Sequence, residues 1–174
     1  MSSIISTFIP EIIIGKNYND YMENIFPTLP VIADNKLSMI DQSIIHADEG
    51  GYWLEFGVHS GETITHTAGR KLGVPNLTIH GFDSFEGLPE DWLQPETGHT
   101  NLKGHFDLEG KIPQNLLCVH NINIIKGWFD KSLPKFIKEN DINKISFLNI
   151  DSDLYSSANT VLTLLTPYFK GHCV

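Results

Sequence analysis

The chain has 174 residues, with 41% hydrophobic and 19% charged side chains and a formal net charge of −9. This is the composition of an ordinary soluble globular protein of one domain, large enough to bury roughly 70% of the surface its unfolded form exposes. The negative charge argues against a nucleic-acid backbone or an anionic membrane as partner, since both attract basic surfaces.

The cysteines, Cys118 and Cys173, form no CxxC pair and no zinc spacing with a histidine. A reduced, cytoplasmic setting is therefore expected. The first fifteen residues carry no basic residue before Lys16, and Pro10-Glu11 interrupts them, so a signal peptide is not expected. No apolar run approaches the ~20 residues of a membrane span.

Residues 1–34, punctuated by Pro10, Pro27 and Pro30, read as an irregular N-terminal segment. Leu37, Ile40, Ile44 and Ala47 recur at helical spacing and predict a helix ended by Gly50-Gly51. Tyr52 to Val58 is an apolar run, predicted as a buried strand. Ile64, Ala68 and Leu72 predict a helix over 60–72, and Leu77 to Phe82 a second strand. Residues 84–112 are rich in Gly, Pro and charge and show no period. Asn121 to Lys126 is a third strand, followed by a helix marked by Leu133, Phe136 and Ile137. Ile145 to Ile150 is a fourth strand. Val161, Leu164, Leu165 and Tyr168 mark a last helix, stopped by Gly171, and His172-Cys173-Val174 reads as the opening of a fifth strand. Continuous apolar strands that alternate with helices predict an α/β fold: a doubly wound, mostly parallel sheet with helices on both faces. Such sheets bind ligands at the carboxyl ends of strands, where the strand order reverses.

The strand ends carry the candidate chemistry. The first ends Glu55-Phe56-Gly57, with Gly61 opening the next helix. Gly57 permits a sharp turn and a close backbone approach, and the helix N-terminus offers N–H groups to an anion. A plain strand-to-helix turn is the alternative. The dinucleotide pattern GxGxxG is not met, since the glycines stand four apart. Glu55 can accept hydrogen bonds from an ammonium group. Asp83 ends the second strand, where an acid holds a ribose diol in nucleotide-binding sheets; a turn or capping aspartate is the alternative. After the third strand, Gly127-Trp128-Phe129 brings an aromatic pair that suits either an adenine or the core. After the fourth come Asp151, Ser152 and Asp153. Asp153 or Ser152 can cap the following helix, or the two acids can serve as divalent oxygen ligands or a general base. Among the histidines, His59 reads as a loop side chain, and His99 and His105 as weak acid/base candidates. The rest, His46, His66, His80, His120 and His172, read as structural.

Four strings in order, Trp-Leu-Glu-Phe-Gly-Val-His-Ser-Gly (53–61), Gly-Phe-Asp-Ser-Phe-Glu-Gly-Leu-Pro-Glu-Asp-Trp (81–92), Lys-Gly-Trp-Phe (126–129) with Ser-Leu-Pro (132–134), and Ile-Asp-Ser-Asp-Leu-Tyr-Ser-Ser (150–157), resemble the macrocin O-methyltransferase family. The resemblance runs from about residue 35 to the end. It implies a Rossmann-like fold, S-adenosylmethionine as cofactor, and methyl transfer to a hydroxyl of a sugar or small molecule. It further implies that Glu55, Gly57 and Gly61 hold the methionine part, and that Asp83, with Ser84 and Phe85 beside it, holds the ribose. Gly127 and Trp128 would lie near the adenine, Asp151 would be a magnesium ligand, and Asp153 would be close enough to the acceptor to act as base. The loop at 84–110 would help to close the site. The family pattern continues with an Asp-Asp pair that completes the metal site, whereas the sequence ends at Val174. A fragment, a truncated protein, or a site completed by another chain, including a homodimer, are the expectations that follow. The alternatives in function are a non-catalytic cofactor-binding module and a nicotinamide-dependent oxidoreductase, the latter lacking its third glycine.

Overall fold

In the computed structural model, residues 35–94, 97–170 and 173 are described, and all belong to one unit of the chain, Asp34–Val174. The expected N-terminal segment 1–34, and the fifth strand at 172–174 apart from Cys173, lie outside the described residues.

Helix α1, Lys36–His46, starts on Asn35, whose side-chain oxygen accepts from the Ser38 N–H at 2.9 Å. It stops four residues before the expected Gly50-Gly51, because Ala47 turns extended. The turn that follows is organised by Asp48. Its Oδ1 accepts from Gly50 N and Ser146 Oγ, its Oδ2 pairs with Lys144, and its backbone carbonyl accepts from Trp53 Nε1. That carboxyl titrates at about 2, chiefly through the Lys144 and Ser146 hydrogen bonds.

Strand β1 is Tyr52–Phe56, α2 is Glu62–Arg70 and β2 is Ile79–Asp83. The region 84–112, for which the sequence shows no period, contains a small antiparallel hairpin, β3 (Trp92–Gln94) and β4 (His99–Asn101). A 3-10 turn over Gln114–Cys118 precedes β5, Ile122–Lys126. Then come α3 (Phe129–Glu139), β6 (Ile145–Ile150) and α4 (Tyr155–Leu165). Tyr168, expected on the last helix, lies in a 3-10 turn over Thr166–Tyr168 that follows it.

The main sheet has the order β5-β2-β1-β6, and every pairing is parallel. Alternate residues feed two cores, as a sheet covered on both faces requires. On one face, Trp53, Ile79 and Phe147 pack with Ile40 and Ile44 of α1 and Ile64 and Ala68 of α2. On the other, Leu54, Phe56, Phe82 and Ile145 pack with Leu133 and Phe136 of α3 and Val161 and Leu165 of α4. Stacked rings mark the centre of each: Trp53 on Phe147 at 4.9 Å, and Phe56 on Phe82 at 4.5 Å. The β1–β6 register slips between Tyr52 and Trp53, placing Ser146 as an extra residue in β6. Its hydroxyl is fully buried and donates to Asp48, so the bulge is tied to the turn that delivers β1. No helix among the described residues is long and apolar enough to cross a membrane.

Candidate functional site

The chain runs outward from β1 through β2 to β5, then returns to the other side of β1 for β6. The order therefore reverses between β1 and β6, and their carboxyl ends part around a cleft. A cavity of about 530 Å³ opens there, lined from each strand end: Gly57 to Ser60 after β1, Asp83 and Ser84 at β2, Trp128 to Asp130 after β5, and Asp151 to Asp153 after β6.

Gly57 has φ 90°, and a Cβ there would lie 2.0 Å from the carbonyl oxygen of Asp151. The close approach that requires glycine is thus to the neighbouring strand end, with Asp151 N donating to the Phe56 carbonyl at 2.8 Å. Gly57 still contributes its backbone to the cavity wall. Gly61, the N-cap of α2 at φ 87°, is needed for a different reason: a Cβ would meet Leu116 Cδ2 at 2.2 Å. Glu62 follows it in the first turn, where an acid suits the positive end of the helix dipole.

Glu55 is fully buried. Asn149 Nδ2 donates to its Oε2 at 3.2 Å, while Oε1 has no hydrogen-bond partner among the described residues. Burial pushes its carboxyl up to about 7, and the Asn149 amide, the Thr63 hydroxyl and the Lys36 charge draw it down only in part. Asp83 does hold a turn: its Oδ1 accepts from Phe85 N and its Oδ2 from His59 N, both at 2.7 Å. It also faces the cavity, and a carboxylate retains further acceptor positions. Trp128 and Phe129 line the cavity, and Phe129 also packs into the core, edge-on against Phe56 at 5.2 Å.

Neither Ser152 nor Asp153 caps the last helix, since the N-cap of α4 is Leu154, with no side-chain cap. Asp153 sits at φ 55° and faces the cavity with Asp151. Burial, followed by the charge of Asp151, holds its carboxyl above the ordinary range. Ser152 Oγ is buried and has no partner among the described residues. Of the residues expected to hold a cofactor, Gly57, Asp83, Ser84 and Trp128 line the cavity. Glu55, Gly61, Phe85 and Gly127 are not among its lining residues; Gly127 donates its N–H to the carbonyl of Asp83, which is, at 2.9 Å.

The long loop contributes Gly87, Leu88, Pro89, Glu90 and Phe106 to the cavity. It is tied to itself through Leu88 N to His105 O and Gly110 N to Phe85 O, and to α4 by Ser156 Oγ donating to Glu90. His105 packs on Phe106, and His59 meets the same ring edge-on at 5.9 Å. His99 instead bonds Asn101 within the hairpin. His80 pairs with Asn123 Nδ2, and burial lowers it to about 4. His66 joins α2 to Asp41 of α1 at 2.7 Å.

Sequence reasoning missed Lys36. Its ammonium pairs with Asp151 from across the chain and lines the cavity. The available signal was its isolation, since it is the only lysine or arginine between Lys16 and Arg70. Among the described residues, no group of three or more His, Cys, Asp or Glu side chains is placed to hold a metal. One oxygen of Asp151, Oδ2, is engaged by that ammonium, and the described residues bring no ligand group around it, so the residues present do not fit the implied ion.

A model of the macrocin-O-methyltransferase (TylF) family matches residues 32–171, the whole of this sheet and its cavity. The chain belongs to the macrocin-O-methyltransferase family. Its fold is similar to the solved structure of the O-methyltransferase NovP, with a TM-score of 0.56 and 21% identity over 76% of this chain and 60% of that one. It is similar also to CalS11, a calicheamicin methyltransferase, with a TM-score of 0.57 and 19% identity over 90% of this chain and 76% of that one. At these identities the likeness establishes the Rossmann-like fold of the macrocin-O-methyltransferase family member described here. The chain spans 60% of the length of NovP. Comparison with curated protein sequences gives no match.

Proposed function

We propose that the cavity binds S-adenosylmethionine and that the protein transfers its methyl group to a hydroxyl of a sugar or small-molecule acceptor. The observation that carries this reading is the cavity at the β1/β6 reversal point, backed by a buried glutamate with an oxygen unpartnered among the described residues and fronted by Asp83 and Asp153. Family membership supports the reaction class and leaves the nicotinamide alternative without support. Residues 35–174 form the methyltransferase domain in this proposal.

The donor set fits the cofactor. Glu55, buried behind the cavity wall, acts on an ammonium group through its charge, with Gly57 and Gly61 shaping the turn in front of it. Asp83, already oriented by two backbone N–H groups, offers its remaining acceptor positions to a ribose diol. Trp128 offers an aromatic surface to adenine. When bound, the cofactor supplies a sulfonium methyl open to in-line displacement. The chain's task is then to hold the acceptor oxygen close and aligned, which can supply much of the acceleration. Asp153, raised above the ordinary range by partial desolvation and by Asp151, is a stronger base than an ordinary aspartate and accepts the hydroxyl proton. The 84–110 loop excludes water from the cavity.

The test is incubation with methyl-labelled S-adenosylmethionine and a panel of methyl glycosides and phenols, with the product read by mass spectrometry. Transfer to oxygen is expected. Cofactor binding without transfer to any hydroxyl would favour the cofactor-binding module instead, and absence of both would remove the proposal.

A further inference from the structure

Among the described residues, Lys36 is the only lysine or arginine that lines the cavity, whose wall carries Glu62, Asp83, Glu90, Asp130, Asp151 and Asp153. It is the first residue of α1, and its ammonium donates to Asp151 Oδ2, 115 residues further along the chain. The side chains are 45% and 42% exposed, so solvent and its ions reach the pair. The charge extends beyond Asp151, since Lys36 also draws down the carboxyls of Asp153 and Glu55. An exposed pair of this kind contributes little to folding. Its effect is on the electrostatics of the cavity, where its charge reaches three acids.

We propose that Lys36 is the resident cation of the carboxylates at the end of β6, and that its charge, seated on Asp151 Oδ2, disfavours divalent metal ions there. Magnesium requires near-ideal octahedral geometry and gives up its water reluctantly, so a carboxylate with one oxygen already on an ammonium offers it little. The same positive charge repels an approaching divalent ion. Combined with the proposed reaction, on which only this consequence rests, the charge beside the acceptor hydroxyl comes from a side chain of α1.

The test needs no methyl transfer. Binding of Mn2+ to the full chain, free of cofactor, is followed by electron paramagnetic resonance at pH 7.5. The unsubstituted protein should bind weakly. Lys36→Met and Lys36→Gln should each tighten binding by at least about tenfold, the scale of one unit charge against a divalent ion at contact distance in water-like dielectric. Lys36→Arg should behave as the unsubstituted protein, and adding Asp151→Asn to Lys36→Met should abolish the gain. Equal Mn2+ affinity with and without the Lys36 charge would overturn the proposal. So would tight binding to the unsubstituted protein that Asp151→Asn removes.

Discussion

Replacing Glu55 with Gln separates the energetic cost of the site from its use. The carboxyl is fully buried and titrates at about 7 instead of 4.5, because desolvation disfavours its charged form. The folded chain therefore holds a proton that the unfolded chain releases above pH 4.5. This contribution to stability is complete below 4.5, declines as pH rises, and levels off above about 7. A shift of about 2.5 pH units corresponds to about 3 kcal/mol. Glutamine has nothing to ionise, so Glu55→Gln should be about 3 kcal/mol more stable than the parent at pH 8. For a domain of this size that is a rise of roughly 6–12 °C in Tm. At pH 4.5 the difference should vanish. Thermal melts followed by circular dichroism from pH 4.5 to 8.5 measure it directly. S-adenosylhomocysteine binding should weaken in the same variant, because the charge proposed to act on the ammonium is gone. A variant no more stable than the parent at pH 8, or a gap independent of pH, would refute the reasoning.

Other perturbations test other joints of the structure. Gly57→Ala places a Cβ 2.0 Å from the Asp151 carbonyl at φ 90°, so urea denaturation should show a loss of about 3 kcal/mol or more, or no folding; a mild effect would contradict the described junction of β1 and β6. Asp153→Asn should leave S-adenosylhomocysteine affinity within a few-fold by calorimetry and lower methyl transfer by roughly 10²–10⁴-fold; unchanged transfer would remove Asp153 as the base. Asp48 titrates at about 2, so the stability it contributes is present above 3.8 and lost as pH falls through about 2. Asp48→Asn should therefore flatten the acid limb of the Tm profile between those values while leaving its slope near neutrality unchanged.

What was legible in the sequence follows from how parallel sheets are built. Strands buried on both faces read as apolar runs, so Tyr52–Phe56, Ile79–Asp83, Ile122–Lys126 and Ile145–Ile150 stand out, and the residues that end them mark the ligand edge. Glu55, Asp83, Asp151 and Asp153 are named by position as candidates, and the last three line the cavity. The hairpin β3–β4 was not legible, because three-residue strands at a solvent-facing loop carry no period. The reason for Gly61 was also hidden, since Leu116 reaches it from a 3-10 turn outside the strand–helix pattern. Lys36 was missed because its partner lies 115 residues away, and a single lysine at a helix start normally signals only a solvated end. The slip at Ser146 could not be read from an otherwise continuous apolar strand.

The most direct test of the central claim is isothermal titration of the protein with S-adenosylhomocysteine, followed by the same titration of Glu55→Gln. One binding site per chain, with affinity reduced in the variant and strengthened in the parent as pH rises through about 7, is the predicted result. Absence of measurable binding to a protein shown to be folded, or affinity indifferent to both Glu55 and pH, would contradict the assignment of the cavity to a sulfonium cofactor.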